Sequence, residues 1–323
     1  MSSLVSVIIS TYNSSPFVVE TLKSVSKQTW EELELIITDD CSGDDTVEVC
    51  HKWLSENGQR FVSSEILVSE KNTGVSANAN RGLYAAKSNW IKFLGADDTL
   101  KPNCIEDNMS WITSRSEVKA LFSRIEIYRD TFEPQNLVET TPGDPNNPKG
   151  IMASGRSAES QYKMLLLSDR IHFSPSVFLN RELLLSVGGF DERFKMHEDY
   201  PLWLNLTKNG HKLYFMDKVT VNYRRHLKAI NNTDIPYLIN PKYFKSDDFR
   251  KAYTYSYLPT DIRCNALFYW YASQIFRCDL LNRNKKPYRF LLALLTSYLN
   301  PFKYYINLKK HLNKNLKDNE FYM

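Results

Sequence analysis

The sequence predicts an α/β fold with a doubly wound, mostly parallel central sheet and a C-terminal helical appendage. Over the first hundred residues, short apolar runs rich in β-formers alternate with segments of helical spacing. This alternation is typical of a parallel sheet covered by helices. From about residue 243, aromatic and basic helical segments dominate instead. We therefore expect one α/β domain at 1–240, in halves of about 1–100 and 101–240, and a helical region at 241–323.

The elements of the first half follow in order along the chain. Apolar runs at 4–10, 32–40, 64–69 and 90–95 predict four strands. Helical spacing predicts helices at 16–28, with proline in the first turn, and at 44–58 and 74–87. In a sheet built from these units, ligands bind beyond the carboxyl ends of the strands. We therefore expect the functional residues at that edge.

The pattern is less regular after residue 100. A helix is predicted at 102–114 and a strand at 118–128. The segment 133–150 is rich in Pro, Asn and Gly and predicts a mobile loop within the domain. Residues 161–225 indicate helices mixed with short strands.

Composition excludes several classes of protein. A net charge of +4, from 41 Lys and Arg against 37 Asp and Glu, gives no argument for nucleic-acid binding. Five cysteines form an odd set without C-x-x-C. With no signal peptide, this favours a cytoplasmic protein without structural disulfides or zinc. No apolar run reaches the roughly 18 residues that span a bilayer.

Two carboxylates mark the end of the fourth predicted strand. Asp97 and Asp98 follow the apolar run 90–95 directly, so they lie at the rim of the sheet. Paired carboxylates there suit a divalent cation, which prefers oxygen ligands. A polar turn before the next helix is the simpler alternative. Asp39, Asp40 and residues 10–13 fall at neighbouring strand ends.

Six strings in compatible order resemble glycosyltransferase family 2, whose members have the Rossmann-like GT-A fold. They are "VSVIISTYN" with "SVSKQTW", "TDDCSGDDT", "KNTGVSANANRGL", "FLGADD", "VGGFDE" and "HEDYPLWLNLTKNG", within roughly residues 4–226. The sequence departs from the family at Gly95, where the first acid of D-x-D is expected. It departs again at Ala79, where an arginine is common, with Arg81 two residues on.

The resemblance implies a donor site at the strand ends. Tyr12 would stack on uracil, and Asp40 would accept from the uracil imide N–H. The metal, Mn²⁺ or Mg²⁺, would be held by Asp97, Asp98 and His226. For His226 a solvated strand-end side chain is an equal alternative. The implied nucleotide and donor contacts are Ser10, Thr11, Tyr12, Asn13, Asp40, Asn72, Arg81, Ala96 and Asp97.

The resemblance also implies the catalytic base and the sugar pocket. Asp199 matches the base that deprotonates the acceptor, with Glu198 as runner-up or orienting group and His197 as a weaker candidate. Asp199 could instead only cap the helix around Pro201. Asp191, two residues after Gly189, lies where the family forms the acceptor and donor-sugar pocket, and both are expected there. The flat apolar ring of Trp203 would form the floor of the acceptor site, because such a ring packs against sugar C–H faces. Trp203 also has helical spacing with Leu202 and Leu206, which indicates a core residue.

The implied activity is that of an inverting, metal-dependent glycosyltransferase. It would transfer a hexose or N-acetylhexosamine from a UDP-sugar to a glycan on polyprenyl diphosphate, forming a β-linkage in O-antigen (lipopolysaccharide) or capsule synthesis. The alternative is a catalytically silent sugar-nucleotide-binding scaffold of a polysaccharide assembly complex. A dehydrogenase is unsupported, because G-x-G-x-x-G does not follow the first strand.

The C-terminal region has two interpretations. Tyr, Trp and Phe interleaved with Lys and Arg suit helices on an anionic membrane, which would make the protein peripheral on the cytoplasmic face of the inner membrane. The same composition suits helices packed back on the domain.

Overall fold

The computed structural model describes residues 3–144, 147–195, 198–226 and 236–322. The chain divides into two compact units. The first comprises Met1–Gln161 and Ile171–His226, and the second Tyr162–Arg170 and Leu227–Met323. The first unit is α/β and the second is helical, as the sequence predicts. The division falls at 226 rather than at the expected 240, and a short segment before residue 171 joins the second unit.

The first unit is built on one sheet of nine strands within the described residues. These are β1 Val5–Thr11, β2 Leu33–Asp39, β3 Ser63–Val68, β4 Trp90–Gly95, β5 Thr99–Leu100, β6 Ala120–Arg129, β7 Leu137–Thr141, β8 Phe178–Asn180 and β9 Tyr214–Arg225. Their order is β3-β2-β1-β4-β8-β6-β9-β5, with β7 paired to β6. The β3-β2-β1-β4 half is parallel. In the other half β6 and β9 are parallel, and the remaining pairs are antiparallel.

Helices cover this sheet because each has an apolar stripe. The described helices of the first unit are α1 Val18–Ser26, α2 Thr46–Asn57, α3 Val75–Ala85, α4 Cys104–Thr113, α6 Arg181–Ser186 and α7 Asp199–Lys208; α5 Ala158–Leu167 crosses the boundary between the units. Val18, Leu22 and Val25 recur at helical spacing and are buried. Nearly every side chain of β1 and β2 is buried, as expected for central parallel strands.

Two sequence expectations are wrong in this unit. The predicted loop at 133–150 contains strand β7, whose Thr141 and Glu139 pair with Ile125 and Ile127 of β6. The turn-rich local sequence favours a loop, but hydrogen bonds to the backbone of β6 hold this segment as a strand. The expected short strands before residue 226 include β9, which is 12 residues long.

The second unit contains α8 Pro241–Tyr253, α9 Thr260–Gln274, α10 Lys286–Ala293 and α11 Pro301–Leu312. Helix α11 packs on α9, and the rings of Phe268 and Phe302 meet between them at 6.4 Å. Among the helices that the structure describes, none is long and apolar enough to cross a membrane.

Candidate active site

Three parallel strands end side by side at one edge of the sheet. Thr11 pairs with Asp39, and Ser10 pairs with both Thr38 and Gly95. The segments that leave β1, β2 and β4 therefore start from neighbouring points. This is the edge where ligands of such sheets bind.

The turn after β4 is fixed by hydrogen bonds to three consecutive carbonyls. The buried hydroxyl of Thr21 donates to the carbonyls of Ala96 and Asp98, at 2.8 and 2.7 Å. Arg224 Nε donates to the carbonyl between them, that of Asp97, at 2.8 Å. The backbone N–H of Ala96 donates to the carbonyl of Ser10, which ties the turn to β1. Ala96 thus acts through its backbone, because its side chain is buried.

Asp97 and His226, both expected as metal ligands, lie next to each other at the rim. Their Oδ2 and Nε2 atoms lie 3.2 Å apart, and the Asp97 side chain is 33% exposed. The His226 ring packs on Phe17, with centroids 4.6 Å apart. A carboxylate and an imidazole this close, one of them open to solvent, can share a divalent cation and leave positions for phosphate oxygens. Among the described residues no group of three or more His, Cys, Asp or Glu forms a metal site.

Asp98 differs from the expected metal ligand. Its side chain is buried, and its Oδ1 accepts the backbone N–H of Arg224 at 2.9 Å. Burial, together with the neighbouring Asp97 carboxylate, raises the pKa of Asp98 well above its usual range. The structure therefore assigns Asp98 to holding β9 against the turn rather than to a metal.

Gly95 stands where the family resemblance leads us to expect an acid, and its missing side chain leaves room for Asp97. A Cβ at this position would lie 2.9 Å from Asp97 Oδ1. The smaller residue therefore allows the Asp97 carboxylate to lie back over the end of β4.

Asp40 clamps the end of β2 to the start of α3. It accepts from the backbone N–H groups of Thr73 and Gly74, from the Thr73 hydroxyl and from Arg81 Nη2. Burial raises the pKa of Asp40, but the hydrogen bonds from Thr73, Arg81 and Gly74 outweigh it, and the pKa is lowered. Both carboxylate oxygens of Asp40 already accept hydrogen bonds from these donors. The expected hydrogen bond from a uracil imide to Asp40 stays a prediction.

Arg81 lies beside this clamp and has a hydrogen-bond donor left over. It donates to the Thr73 hydroxyl and to Asn78 Oδ1 as well as to Asp40. Its buried Nε has no hydrogen-bond partner in the described part of the chain. Such an orphaned donor fits a site that receives an anionic ligand.

The remaining residues expected at the nucleotide divide into exposed and structural ones. Tyr12 is 51% exposed, so its ring is open to a stacking partner. Thr11, expected at the donor, is buried and donates to Asp39 Oδ2 at 2.6 Å, which corrects that expectation. Asn13 Oδ1 accepts from the backbone N–H of Gly43, and Asn72 is exposed.

The loop that carries Gly189 and Asp191 is docked on α3. Gly189 has φ +73°, and a Cβ there would meet Asn80 Oδ1 at 2.6 Å, so both conformation and space require glycine. Asn80 Nδ2 donates to the carbonyl of Phe190, and its Oδ1 accepts from the Phe190 N–H. Asp191 is held by Arg193, whose guanidinium lowers the pKa of this carboxyl despite its partial burial.

The expected catalytic acids begin α7. Asp199 is the first residue of this helix and Glu198 is its N-cap. Glu198 makes no side-chain capping bond, and burial raises its pKa. Both side chains are half-buried. His197 lies outside the described residues.

Trp203 is a core residue, and the acceptor-floor interpretation is wrong. Its side chain is 1% exposed and packs edge-on against Phe122 at 4.9 Å. Its Nε1 lies 3.4 Å from the hydroxyl of Ser174. A ring enclosed on all sides offers no face to a sugar, and the helical spacing indicates its core position correctly.

Sequence reasoning missed Arg224, which lies at the centre of the site. Its Nε holds Asp97, its Nη1 donates to the carbonyl of Asp130, and its Nη2 pairs with Glu20. A signal existed, because the two-residue period of a strand places Arg224 and His226 on the same face. Arg225, one residue away, points elsewhere and pairs with Glu139.

Comparisons with known proteins identify the family of this chain. The sequence model described as Glycosyl transferase family 2 matches residues 6–172. WfaP of Escherichia coli, a UDP-Glc:alpha-D-GlcNAc-diphosphoundecaprenol beta-1,3-glucosyltransferase, is 28% identical over 73% of this chain and 83% of its own length. GlyG, a glycosyltransferase of Streptococcus pneumoniae, is 32% identical over 33% of this chain, which spans only 34% of that relative.

Solved structures support the fold. S. aureus TarS 1–349 in complex with UDP-GlcNAc matches 99% of this chain and 89% of its own, with a TM-score of 0.58 and 18% identity. At this identity the likeness shows a common fold.

Proposed function

The chain belongs to glycosyltransferase family 2, because the model of that family matches more than half of the chain, and we propose that it is an inverting, metal-dependent transferase. It moves a hexose or N-acetylhexosamine from a UDP-sugar to a glycan on polyprenyl diphosphate. The product is a repeat unit of a bacterial surface polysaccharide, such as O-antigen or capsule. The names of WfaP and of the TarS complex support the acceptor and donor classes respectively.

The observation that carries the proposal is the pair of Asp97 and His226 at the carboxyl edge of the sheet. Asp97 and His226 would hold Mn²⁺ or Mg²⁺, each supplying one ligand atom. When bound, the cation supplies Lewis-acid charge neutralisation for the departing diphosphate, worth several kcal/mol. Arg81, with its unpartnered Nε, adds a positive charge beside the same edge.

The exposed ring of Tyr12 would receive the uracil base. It follows β1 directly, so a stacked base would lie over the same strand ends that carry the Asp97 turn. Asp40 supports this arrangement through the Thr73–Gly74 segment, whether or not it also meets the base.

Asp199 would be the general base, within hydrogen-bond reach of the acceptor hydroxyl. Proton removal by such a group contributes about 10²–10⁴-fold. Glu198, whose pKa is raised by burial, would be the runner-up base or the group that orients Asp199. Direct attack opposite UDP inverts the anomeric carbon, so an α-linked donor gives a β-linked product.

A donor screen tests the proposal. The full chain is incubated with a panel of UDP-sugars, Mn²⁺ and a synthetic diphosphate-lipid acceptor, and UDP release is measured. We expect one donor to be used, EDTA to stop the reaction, and Asp199→Asn to lower the rate about 10²–10⁴-fold with UDP affinity unchanged. Asp217→Asn, at an exposed surface ion pair, is the matched control.

The alternative is a catalytically silent scaffold that binds sugar nucleotides. Gly95 in place of an acid is the observation that favours it. The same screen separates the two, because a scaffold binds a UDP-sugar but releases no UDP with any donor. That outcome would reject the transferase and keep the site.

An enzyme that uses a lipid-linked acceptor would act at the surface of a bilayer. We propose a peripheral protein on the cytoplasmic face of the inner membrane, where UDP-sugars are available.

A further inference from the structure

The C-terminal unit has an unusual distribution of charge. Residues 280–317 contain nine Lys and Arg residues and no Asp or Glu. The chain as a whole carries only a small net charge of +4. A uniformly cationic segment of this length therefore stands apart from the rest of the protein.

Helix α11 has an inner face that is fixed within its own unit. Ile306 is buried, and Phe302 packs against Phe268 of α9. Lys309 on the same side donates to Asp261 of α9 and to the hydroxyl of Tyr322, both at 2.7 Å. Packing and an ion pair together define which side of α11 points inward.

The opposite side of α11 is apolar and exposed; we call Tyr304, Tyr305, Leu308 and Leu312 its outer face. Tyr304, Leu308 and Leu312 recur every four residues, so with Tyr305 they span about 100° of arc at 3.6 residues per turn. Their exposed fractions are 55%, 54%, 56% and 76% in chain order. Four large apolar side chains on one stripe are more than the scattered exposure of an ordinary surface.

Lysines flank this stripe. Lys303 and Lys310 lie along one side of α11, and Lys314 follows its end. Their long stems can lie along apolar surroundings while the ammonium groups reach anionic groups beyond. More exposed apolar side chains, Phe290, Tyr298 and Leu299, lie in the same cationic segment.

We propose that the outer face of α11 docks on an anionic lipid bilayer, lying in the plane of the interface. An apolar stripe of aromatic and leucine side chains beside lysines is the composition of interfacial helices. A second copy of this chain is a poorer occupant, because self-contact of this face would bring its own lysines close to the same lysines of the other copy. The inference rests on the proposed function for its purpose, since a bilayer would carry the acceptor.

Co-sedimentation of the full chain with vesicles tests this inference. Vesicles of phosphatidylcholine alone are compared with vesicles containing one third phosphatidylglycerol. We expect binding to the anionic vesicles, and a loss of at least tenfold in Leu308→Gln/Leu312→Gln. Lys303→Gln/Lys310→Gln/Lys314→Gln should weaken anionic binding by about fivefold per lysine and remove its salt dependence.

Val62→Gln/Tyr84→Gln is the matched control, because it removes two apolar side chains of similar exposure from the first unit. It should bind vesicles like the wild type. Equal binding by wild type and the leucine variant would overturn the inference. So would a wild-type dimer in sedimentation velocity that the leucine variant dissociates, without vesicle binding by either.

The experiment uses neither donor nor acceptor, so its result is independent of the transferase proposal. If vesicles bind and no donor is used, the docking surface stands and the proposed reaction fails. If a donor is used and vesicles do not bind, the reverse holds.

Discussion

Arg224 holds the backbone of Asp97 from a position 127 residues later in the chain. Its Nε donates to the Asp97 carbonyl at 2.8 Å, and its own backbone N–H donates to Asp98 Oδ1 at 2.9 Å. Phe17 and Phe132 cover the guanidinium, at 5.0 and 4.1 Å from their ring centroids. Because His226 is only two residues further on, the same strand end sets both partners of the Asp97–His226 pair.

Replacing Arg224 by lysine should therefore impair metal binding rather than only the fold. A lysine ammonium is a point charge and cannot serve Asp97, Asp130 and Glu20 from one planar fork. We expect Mn²⁺ affinity in the presence of UDP to fall about 10–100-fold, as for groups that orient metal ligands. Electron paramagnetic resonance of free Mn²⁺ measures this without turnover.

Arg225→Lys is the control for that variant. Arg225 is the adjacent residue on the same strand, and its pairing with Glu139 is partly exposed. Its Mn²⁺ affinity should stay within about twofold of the wild type, since exposed pairs are worth little. Equal affinities in the two variants would remove Arg224 from the positioning role.

Gly95→Ala should disturb the Asp97 carboxylate at little cost to stability. The new Cβ would lie 2.9 Å from Asp97 Oδ1, and this flexible side chain can swing away. We expect Mn²⁺ affinity to fall while the free energy of unfolding changes by less than about 1 kcal/mol. The pairing of these two measurements is the test, because a large loss of stability would mean that the backbone had moved instead.

The contrast between Asp97 and Asp98 shows what the sequence could predict about this site. A polar pair at the end of an apolar run indicates the rim of a sheet, and the structure has both residues there. Which carboxylate points outward depends on Arg224, which arrives from a strand far along the chain. No local pattern contains that information. Trp203 is the opposite case, because its helical spacing with Leu202 and Leu206 indicates a core residue, and the ring does pack in the core against Phe122.

Strand prediction has the same physical limit. Strand β4 is predicted at its observed bounds because its run is apolar except for Lys92. Strand β7 was missed because its segment is polar and bordered by Pro, and only pairing with β6 makes it a strand. Strands β1 to β4 and β6 were therefore predictable from local patterns, whereas β7 was not.

Asp40→Asn should destabilise the first unit through the clamp on α3. The amide group would turn a donor toward N–H groups of Thr73 and Gly74, at a cost of about 1–3 kcal/mol or more. The lowered pKa of Asp40 means that its ionised form contributes stability above the ordinary Asp pKa of about 3.9. That contribution is lost as pH falls through the lowered pKa.

Urea unfolding at pH 7 and near pH 3 measures both effects. The difference between wild type and Asp40→Asn should be large at pH 7 and shrink at the acid end. Asp45→Asn, at an exposed N-cap without a side-chain capping bond, should show neither. A pH-independent difference for Asp40→Asn would mean that the carboxylate charge does not stabilise the clamp.

Because Lys92 is buried, we expect the stability of the protein to change at alkaline pH. Its side chain, on β4 behind the site, is fully buried, and Nζ donates to the carbonyls of Pro175 and Val177 at 2.6 and 3.3 Å. Burial lowers the pKa of Lys92 to about 8. Between pH 8 and about 10.4 the unfolded chain keeps this proton while the folded chain releases it. The free energy of unfolding should therefore rise with pH across that window, by roughly 3 kcal/mol in total.

Lys92→Met lacks the titrating group, so its unfolding free energy should not contain this rise. In urea unfolding between pH 7.5 and 10.5, we expect the unfolding free energy of the wild type to rise steadily relative to that of Lys92→Met. This holds whichever protein is more stable at pH 7.5. Lys52→Met, on the exposed surface of α2, should differ from the wild type by a constant amount over the same range. If the Lys92→Met difference is also constant, the folded chain must keep this proton over the same pH range as the unfolded chain, and burial would not be acting on its charge.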